Sequence, residues 1–460
     1  MQAYLDLIER FNTGESLSKS DWDFDHIVMP VRKLVKKYQL KWDQAQPIPN
    51  DPDVADRVYQ AALELAYLAG SYSYSTGRVL TFEPGEVEQA LQATPQELVM
   101  GEGVQSRTLY ARHICDERTP LVWAGNPGCP TPEHLFLPYV TSCMQEPIVD
   151  LVTCGSLTEV MGHRVDTGSP LEVAATRLEL RLLRQGLERV GRSGMGMLAA
   201  QSSVSELGDL SASSANYLHP CDSHLVPILN ELIMDSRNIA RVVNSLEYGM
   251  RNASLACVMV GGLAGDAPGA AVLQAASFLV GNLTCRADYH LLHPIHIRHI
   301  ATSTRQVMWV QSIVSQAFAR NAPSIIVGDI YPKSGAVTPE LLYEVAANAI
   351  TLTVSGAHLE GVGAADGSLP NGTGLEARWM GEVGHAVTRQ HLDLDQANQL
   401  VLRLLEKYEA VFSMPGGNPG LCFDQAYDMQ SIQPSPAWTK IYQDVKQDLI
   451  QMGLTTLKEF

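Results

Sequence analysis

The sequence predicts an α/β fold: a (β/α)8 TIM barrel with an N-terminal helical extension and extra C-terminal helices. Three observations predict it. From about residue 120, eight short apolar runs alternate with long helical patterns, the order that a closed parallel sheet wrapped in helices imposes. The 460 residues suffice for one large barrel with extensions, or for two to three average domains. No internal repeat, low-complexity tract or long linker divides them, which selects the single barrel with embellishments.

Residues 1–119 read as the extension packed on that barrel. A basic, amphipathic pattern covers 31–41, and 55–68 (ADRVYQAALELAYL) repeats its apolar side chains at helical spacing. A short strand at 78–82 and a helix at 87–93 follow. Residues 120–460 hold the barrel and its C-terminal helices. Strands are expected at 121–124, 148–154, 194–199, 217–220, within 250–260, at 289–297, 324–327 and 358–362, the fourth being the weakest pattern. Helices are expected between them at 171–188, 229–246, 271–283, 305–319 and 340–349. After the eighth strand, 375–389, 394–406 and 441–452 read as helices that close the bottom or mediate assembly.

Hydrophobic residues make up 45% and charged residues 18%, as in an ordinary folded chain. A formal charge of −17 argues against nucleic acid, because phosphate binding needs clustered Lys and Arg. The opening MQAYLDLIERFNTGE lacks a basic stretch followed by an apolar one, so no signal peptide is expected. No run reaches membrane length; the longest, at 253–264, is cut by Gly261 and Gly262. Eight cysteines without a Cys-x-x-Cys pair fit reduced thiols and a cytoplasmic location.

Three motifs invite chemistry. His290-Leu-Leu-His293-Pro-Ile-His296-Ile-Arg298-His299 spaces four histidines three apart. On a strand, His290 and His296 would share one face and His293 and His299 the other. Two histidines still need a third ligand, and no His-Glu-x-x-His or paired cysteines supply it, so hydrogen-bonded barrel histidines and no metal are expected. Gly191-Arg-Ser-Gly194-Met-Gly196 lacks the order and the following helix of a phosphate loop; close backbone approach at a strand end is the expectation. Asp222-Ser-His224-Leu-Val-Pro227 comes close to the Asp-x-His-x-x-Gly by which cobalamin-carrying domains present an axial histidine. Pro227 stands where the glycine belongs, so this chain is not expected to hold a corrinoid that way. Asp222 and His224 remain a candidate hydrogen-bonded pair, with His224 a candidate catalytic residue.

Gly191-Arg-Ser-Gly-Met-Gly-Met-Leu198 is similar to the stretch of monomethylamine:corrinoid methyltransferases that ends in pyrrolysine. The resemblance continues through Asp222-Ser-His224, Leu229-Asn-Glu-Leu232, Pro294-Ile-His-Ile-Arg298 and Ser303-Thr-Arg305. It resumes at Thr373-Gly-Leu-Glu-Ala-Arg378 and Met380-Gly-Glu-Val383, and upstream at Ser169-Pro-Leu-Glu-Val173, so it spans almost the whole chain. The resemblance implies a barrel enzyme that moves a methyl group onto the Co(I) of a separate corrinoid protein. It also implies a homo-oligomer, hexameric in the archaeal members. No cofactor is then bound tightly by this chain; the corrinoid arrives with the partner.

The pyrrolysine position, however, is Leu198. In the family, the pyrrolysine imine captures the amine, and two glutamates and a glutamine surround it. The register carried across puts Leu225, Leu255 and Asp329 at those positions. A neutral methylamine is a poor methyl donor, since an amide anion would have to leave; a donor that already carries positive charge needs no electrophile. Such a donor wants apolar walls, an aromatic face and a carboxylate. The substrate-binding expectations are therefore Leu198, Leu225 and Leu255 as walls and Tyr331 or Trp123 as ring face, with Asp329 supplying charge as a candidate catalytic residue. The expected function is methyl transfer from a small methylated compound, a quaternary ammonium or other cationic donor, to a cognate corrinoid protein. The alternatives are literal monomethylamine transfer and a non-catalytic barrel that binds a corrinoid protein or a methylated ligand.

Overall fold

Eight parallel strands close into a barrel: β1 Val122–Ala124, β2 Leu151–Thr153, β3 Met197–Ala199, β4 Ser223–Ile228, β5 Arg251–Ala256, β6 Tyr289–Leu292, β7 Ile326–Ile330 and β8 His358–Gly361. Neighbours follow chain order, and β8 pairs back onto β1. The computed structural model describes residues 2–199, 205–214, 217–363, 365–367 and 369–460. Helices Pro170–Arg189, Ala267–Thr284, Arg305–Asn321 and Pro339–Ser355 lie where helical spacing put them. Each has a proline in its first turn or a capping threonine before it: Thr304 and Thr338 accept from Val307 N–H and Leu341 N–H.

Two strands depart from expectation. The fourth is not 217–220 but Ser223–Ile228. Ser223, His224 and Pro227 break its apolar pattern. The sixth ends at Leu292 rather than 297, and Pro294 follows at once. Ile295–His296 instead pairs separately with Met259–Val260. The helix expected at 229–246 begins only at Ser236, where the Asp235 carboxylate accepts from Asn238 N–H.

The first 119 residues wrap the barrel through a shared core. Tyr4 Oη donates to Thr284 O at 2.7 Å and Trp22 Nε1 to Glu231 O at 3.0 Å. This segment also pairs with the stretch that follows β4, since Ser71–Ser73 lies beside Ile233–Met234. Its hairpin, Glu97–Met100 with Arg107–Tyr110, plugs the N-terminal end of the barrel. Leu98, Met100 and Leu109 join the apolar cluster of the inner wall, while Gly101 N–H donates to Cys221 O and Glu102 N–H to Gly194 O. A Cβ at Gly194 would come 2.4 Å from Glu102 O, which is the close approach the glycine-dense 191–196 stretch implies.

C-terminal helices Gly374–Arg389, Leu394–Tyr408 and Pro436–Gln451 pack outside, the first two on capping boxes. All eight cysteines are free thiols. Among the described residues, no helix is long and apolar enough to cross a membrane.

Candidate active site

Side chains alternate along each strand, so every second residue faces the barrel interior. That alternation brings Leu151 of β2, Leu198 of β3, Leu225 of β4 and Leu255 of β5 into one apolar cluster with Trp123, Tyr289 and Leu291. Leu198 is completely buried. The Trp123 ring stacks on Tyr289 at 5.6 Å, and its indole N–H donates to Val152 O at 3.2 Å. Tyr289 Oη in turn lies 2.7 Å from Ser223 Oγ.

The wall across from the leucines is polar. Asp329 of β7 is the register partner of Glu360 of β8, and Glu360 is the partner of Trp123 of β1. His293 stands just past the end of β6, with Nδ1 2.9 Å from Asp329 Oδ2. Tyr331, past the end of β7, meets the His293 ring edge-on at 4.7 Å. Its hydroxyl donates to Pro127 O and lies 3.4 Å from Cys129 Sγ. The loop after β8 lies against this ring, for a Cβ at Gly363 would come within 2.6 Å of it.

Charge at this wall is uneven. Burial pulls the His293 pKa down, but the Asp329 carboxylate and the Cys257 thiol outweigh it and hold the imidazole well above its ordinary value. Burial, then Asp329, pushes the Glu360 carboxyl well above the usual range, with His293 acting the other way. Neither carboxylate oxygen of Glu360 has a hydrogen-bond partner among the described residues. The wall thus carries two carboxyls and one base. Asp329 is already paired.

Leu198, Leu225, Leu255, Trp123, Asp329 and Tyr331 therefore converge on the barrel interior and its C-terminal end. His224 does not. It points outward from β4, with Nδ1 2.8 Å from Asp209 Oδ1 and Nε2 3.1 Å from Ser213 Oγ. Asp222 is not its partner: that carboxylate takes Arg184 at 2.8 Å and the backbone N–H groups of Met197 and His219. With both ring nitrogens engaged, His224 does not fit the role of a cobalt ligand. His290 also faces the helices, stacked on Phe278 at 4.5 Å with Nδ1 2.7 Å from Ser254 Oγ, and burial drives its pKa to about 3. It shares no face with His296, because the strand has ended; His296 and His299 are ring neighbours at 4.4 Å. One trio among the described residues has donor atoms close enough for a cation: Glu102, His219 and Cys221, at the floor rather than the mouth.

Sequence reasoning missed His293 and Glu360 as parts of the site. The signal for Glu360 was a lone carboxyl inside the apolar run His358-Leu-Glu360-Gly-Val362, on the inward phase of the alternation.

The profile of the family described as "Monomethylamine methyltransferase MtmB" matches residues 2–454. Monomethylamine methyltransferase MtmB2 of Methanosarcina acetivorans is 30% identical over 458 residues, covering 98% of this chain and 97% of that protein. Monomethylamine methyltransferase MtmB of Methanosarcina mazei is 30% identical over 451 residues, with the same coverage. The crystal structure of the Methanosarcina barkeri monomethylamine methyltransferase matches with a TM-score of 0.94 at 29% identity, over 98% of each chain. A structure of the hydroxylamine MtmB complex matches equally well.

Proposed function

This chain belongs to the monomethylamine methyltransferase MtmB family, and from that premise we propose that it takes its methyl group from a small cationic compound, a quaternary ammonium being the best fit. The coarse reaction follows from the family: the chain is a corrinoid-dependent methyltransferase, and the acceptor is a separate corrinoid protein. Assembly as a homo-oligomer is part of the same proposal.

The observation that carries the donor class is the wall composition. Leu198, Leu225 and Leu255 face the interior with no electrophile among them, across from a wall with one more carboxyl than base. The acceptor's reduced corrinoid supplies the nucleophile; this chain's residues bind, orient and dehydrate the donor. In-line transfer depends on alignment and on the leaving group. A quaternary nitrogen leaves as a neutral amine, so no imine is needed. Its methyl shell also has no N–H to satisfy, which suits leucine walls that offer no acceptor. Methylammonium would turn three N–H donors on this site, and those that point at the leucine walls rather than at the carboxyls would be costly to bury unpaired. Trp123 and Tyr331 contribute ring faces of the kind that favour such cations.

Monomethylamine itself is the second reading, supported by the names of the relatives. The test is formation of methyl-Co(III) on a reduced cognate corrinoid protein, followed by absorbance over a panel of methylated donors. Transfer from quaternary ammonium or sulfonium compounds is expected. Efficient transfer from monomethylamine alone overturns the cationic reading, and activity only with a neutral O-methyl or S-methyl donor keeps the family reaction while rejecting the charged donor.

A further inference from the structure

We propose that the carboxyl of Glu360, and not that of Asp329, is the counter-ion of a cationic head seated at the barrel mouth, and that seating the cation expels the Glu360 proton to solvent. The inference rests on the cationic-donor reading above and names the residue and the proton that reading requires.

The geometry separates the two carboxyls. Asp329 already has a counter-charge, His293 Nδ1 at 2.9 Å. Glu360 has none. It is completely buried, it lies on the inner wall between Asp329 and Trp123, and both its oxygens lack a hydrogen-bond partner among the described residues. Among the described residues, no other carboxyl has both oxygens buried and unbonded. A buried carboxyl without donors is stable only as the neutral acid. The groups that face it agree. From β7 comes the Asp329 carboxylate, which opposes a second negative charge. From the end of β6 comes His293, committed to Asp329, and from β6 itself the un-ionised phenol of Tyr289. From β1 comes Trp123, which carries no charge. Cys257 and Tyr331 lie against His293, and the un-ionised Tyr331 phenol also faces Asp329.

The wall is therefore neutral when empty: one imidazolium, one carboxylate, one carboxylic acid. Adding a monocation would leave one uncompensated positive charge in a leucine-lined space. Exchanging the Glu360 proton for the cation keeps the wall neutral: the O–H bond breaks, its electron pair stays on the carboxylate, and the proton leaves to water. Asp329 cannot play this part without releasing His293.

Isothermal titration of the purified full-length enzyme tests this, with choline as the cationic probe and 3,3-dimethylbutan-1-ol as its neutral isostere. Titrations in two buffers of different ionisation enthalpy count the protons released. Close to one proton per choline is expected, with affinity rising about tenfold per pH unit until Glu360 ionises unaided. Glu360→Gln should abolish the release and weaken choline by at least about tenfold while leaving the neutral isostere unchanged; Asp329→Asn removes the like charge that keeps Glu360 protonated, so its release should fade at a lower pH than in the wild type. Infrared difference spectra of the wild type need no variant: choline should erase a protonated-carboxyl C=O band. Choline binding with no proton release, or with E360Q indistinguishable from wild type, overturns the Glu360 assignment and leaves the donor class standing. Binding of the neutral isostere alone, or of neither probe, overturns both.

Discussion

Glu344 and Glu360 are both completely buried, and burial raises the pKa of both carboxyls. Their surroundings could hardly differ more. Glu344, on helix Pro339–Ser355 outside the barrel, accepts from Ser303 Oγ and from the backbone N–H groups of Lys333 at 2.7 Å and Ser334 at 2.9 Å. It holds the loop after β7 in place. Glu360, on the inner wall, accepts from nothing among the described residues. A carboxyl kept for the sake of the fold gathers donors until its oxygens are satisfied. One left without donors stays available to something that is not protein.

The largest expected effect tests the first half of that contrast. Glu344→Ala strands one hydroxyl and two backbone N–H groups in the interior and should cost about 4 kcal/mol of stability, read as a fall in the denaturant midpoint. An equal loss in Glu360→Ala would erase the distinction between the two sites. Leu198→Ala comes next: a completely buried leucine lost from the apolar arc should cost about 3 kcal/mol through cavity formation. It should also slow methyl transfer by loosening the wall, which single-turnover methyl-Co(III) formation would show.

A smaller effect sharpens the contrast between His290 on β6 and His293 just past its end. His290 has a folded pKa of about 3, below its ordinary 6.5, so its contribution to stability is present above 6.5 and lost as pH falls toward 3. His293 is raised instead, so its contribution is full below 6.5 and lost as pH rises through its folded value. Nitrogen-15 spectra of labelled histidine should find a charged His293 at neutral pH beside a His290 that stays neutral well into acid. A neutral His293 would free Asp329 and remove the case for Glu360.

The smallest effect is the most diagnostic. Glu360→Gln swaps one neutral group for another and should leave stability within about 1 kcal/mol of wild type near pH 5. The folded pKa of Glu360 exceeds the ordinary 4.5, so the wild-type advantage is full below 4.5 and fades as pH rises through the folded value. The E360Q protein should therefore gain on wild type in alkaline melts. A constant difference across pH would mean that Glu360 is ionised throughout.

Legibility in the sequence followed a physical rule. Strands such as Leu151–Thr153 and Ile326–Ile330 were readable because both their faces are buried, which writes a continuous apolar run. β4 was misplaced because Ser223 and His224 put polar groups on a buried strand, each satisfied by a partner outside its own stretch of sequence: Tyr289 and Asp209. The site was half legible. The grouping of Leu198, Leu225, Leu255 and Asp329 followed from the register that the family resemblance carries across. That Asp329 is neutralised by His293, and that Glu360 is not neutralised at all, depends on which strands become neighbours once the barrel closes, and no local pattern carries that.

The hairpin under the barrel has a kinetic meaning. With Leu98, Met100 and Leu109 stoppering the floor, both reactants of the proposed transfer must use the same doorway. A protein the size of a corrinoid carrier, once seated there, shuts in whatever small molecule lies beneath and bars the next. The methyl donor has to arrive first, and its demethylated remainder leaves last. Turnover should then show compulsory-order kinetics, with excess corrinoid protein inhibiting by capping the empty barrel.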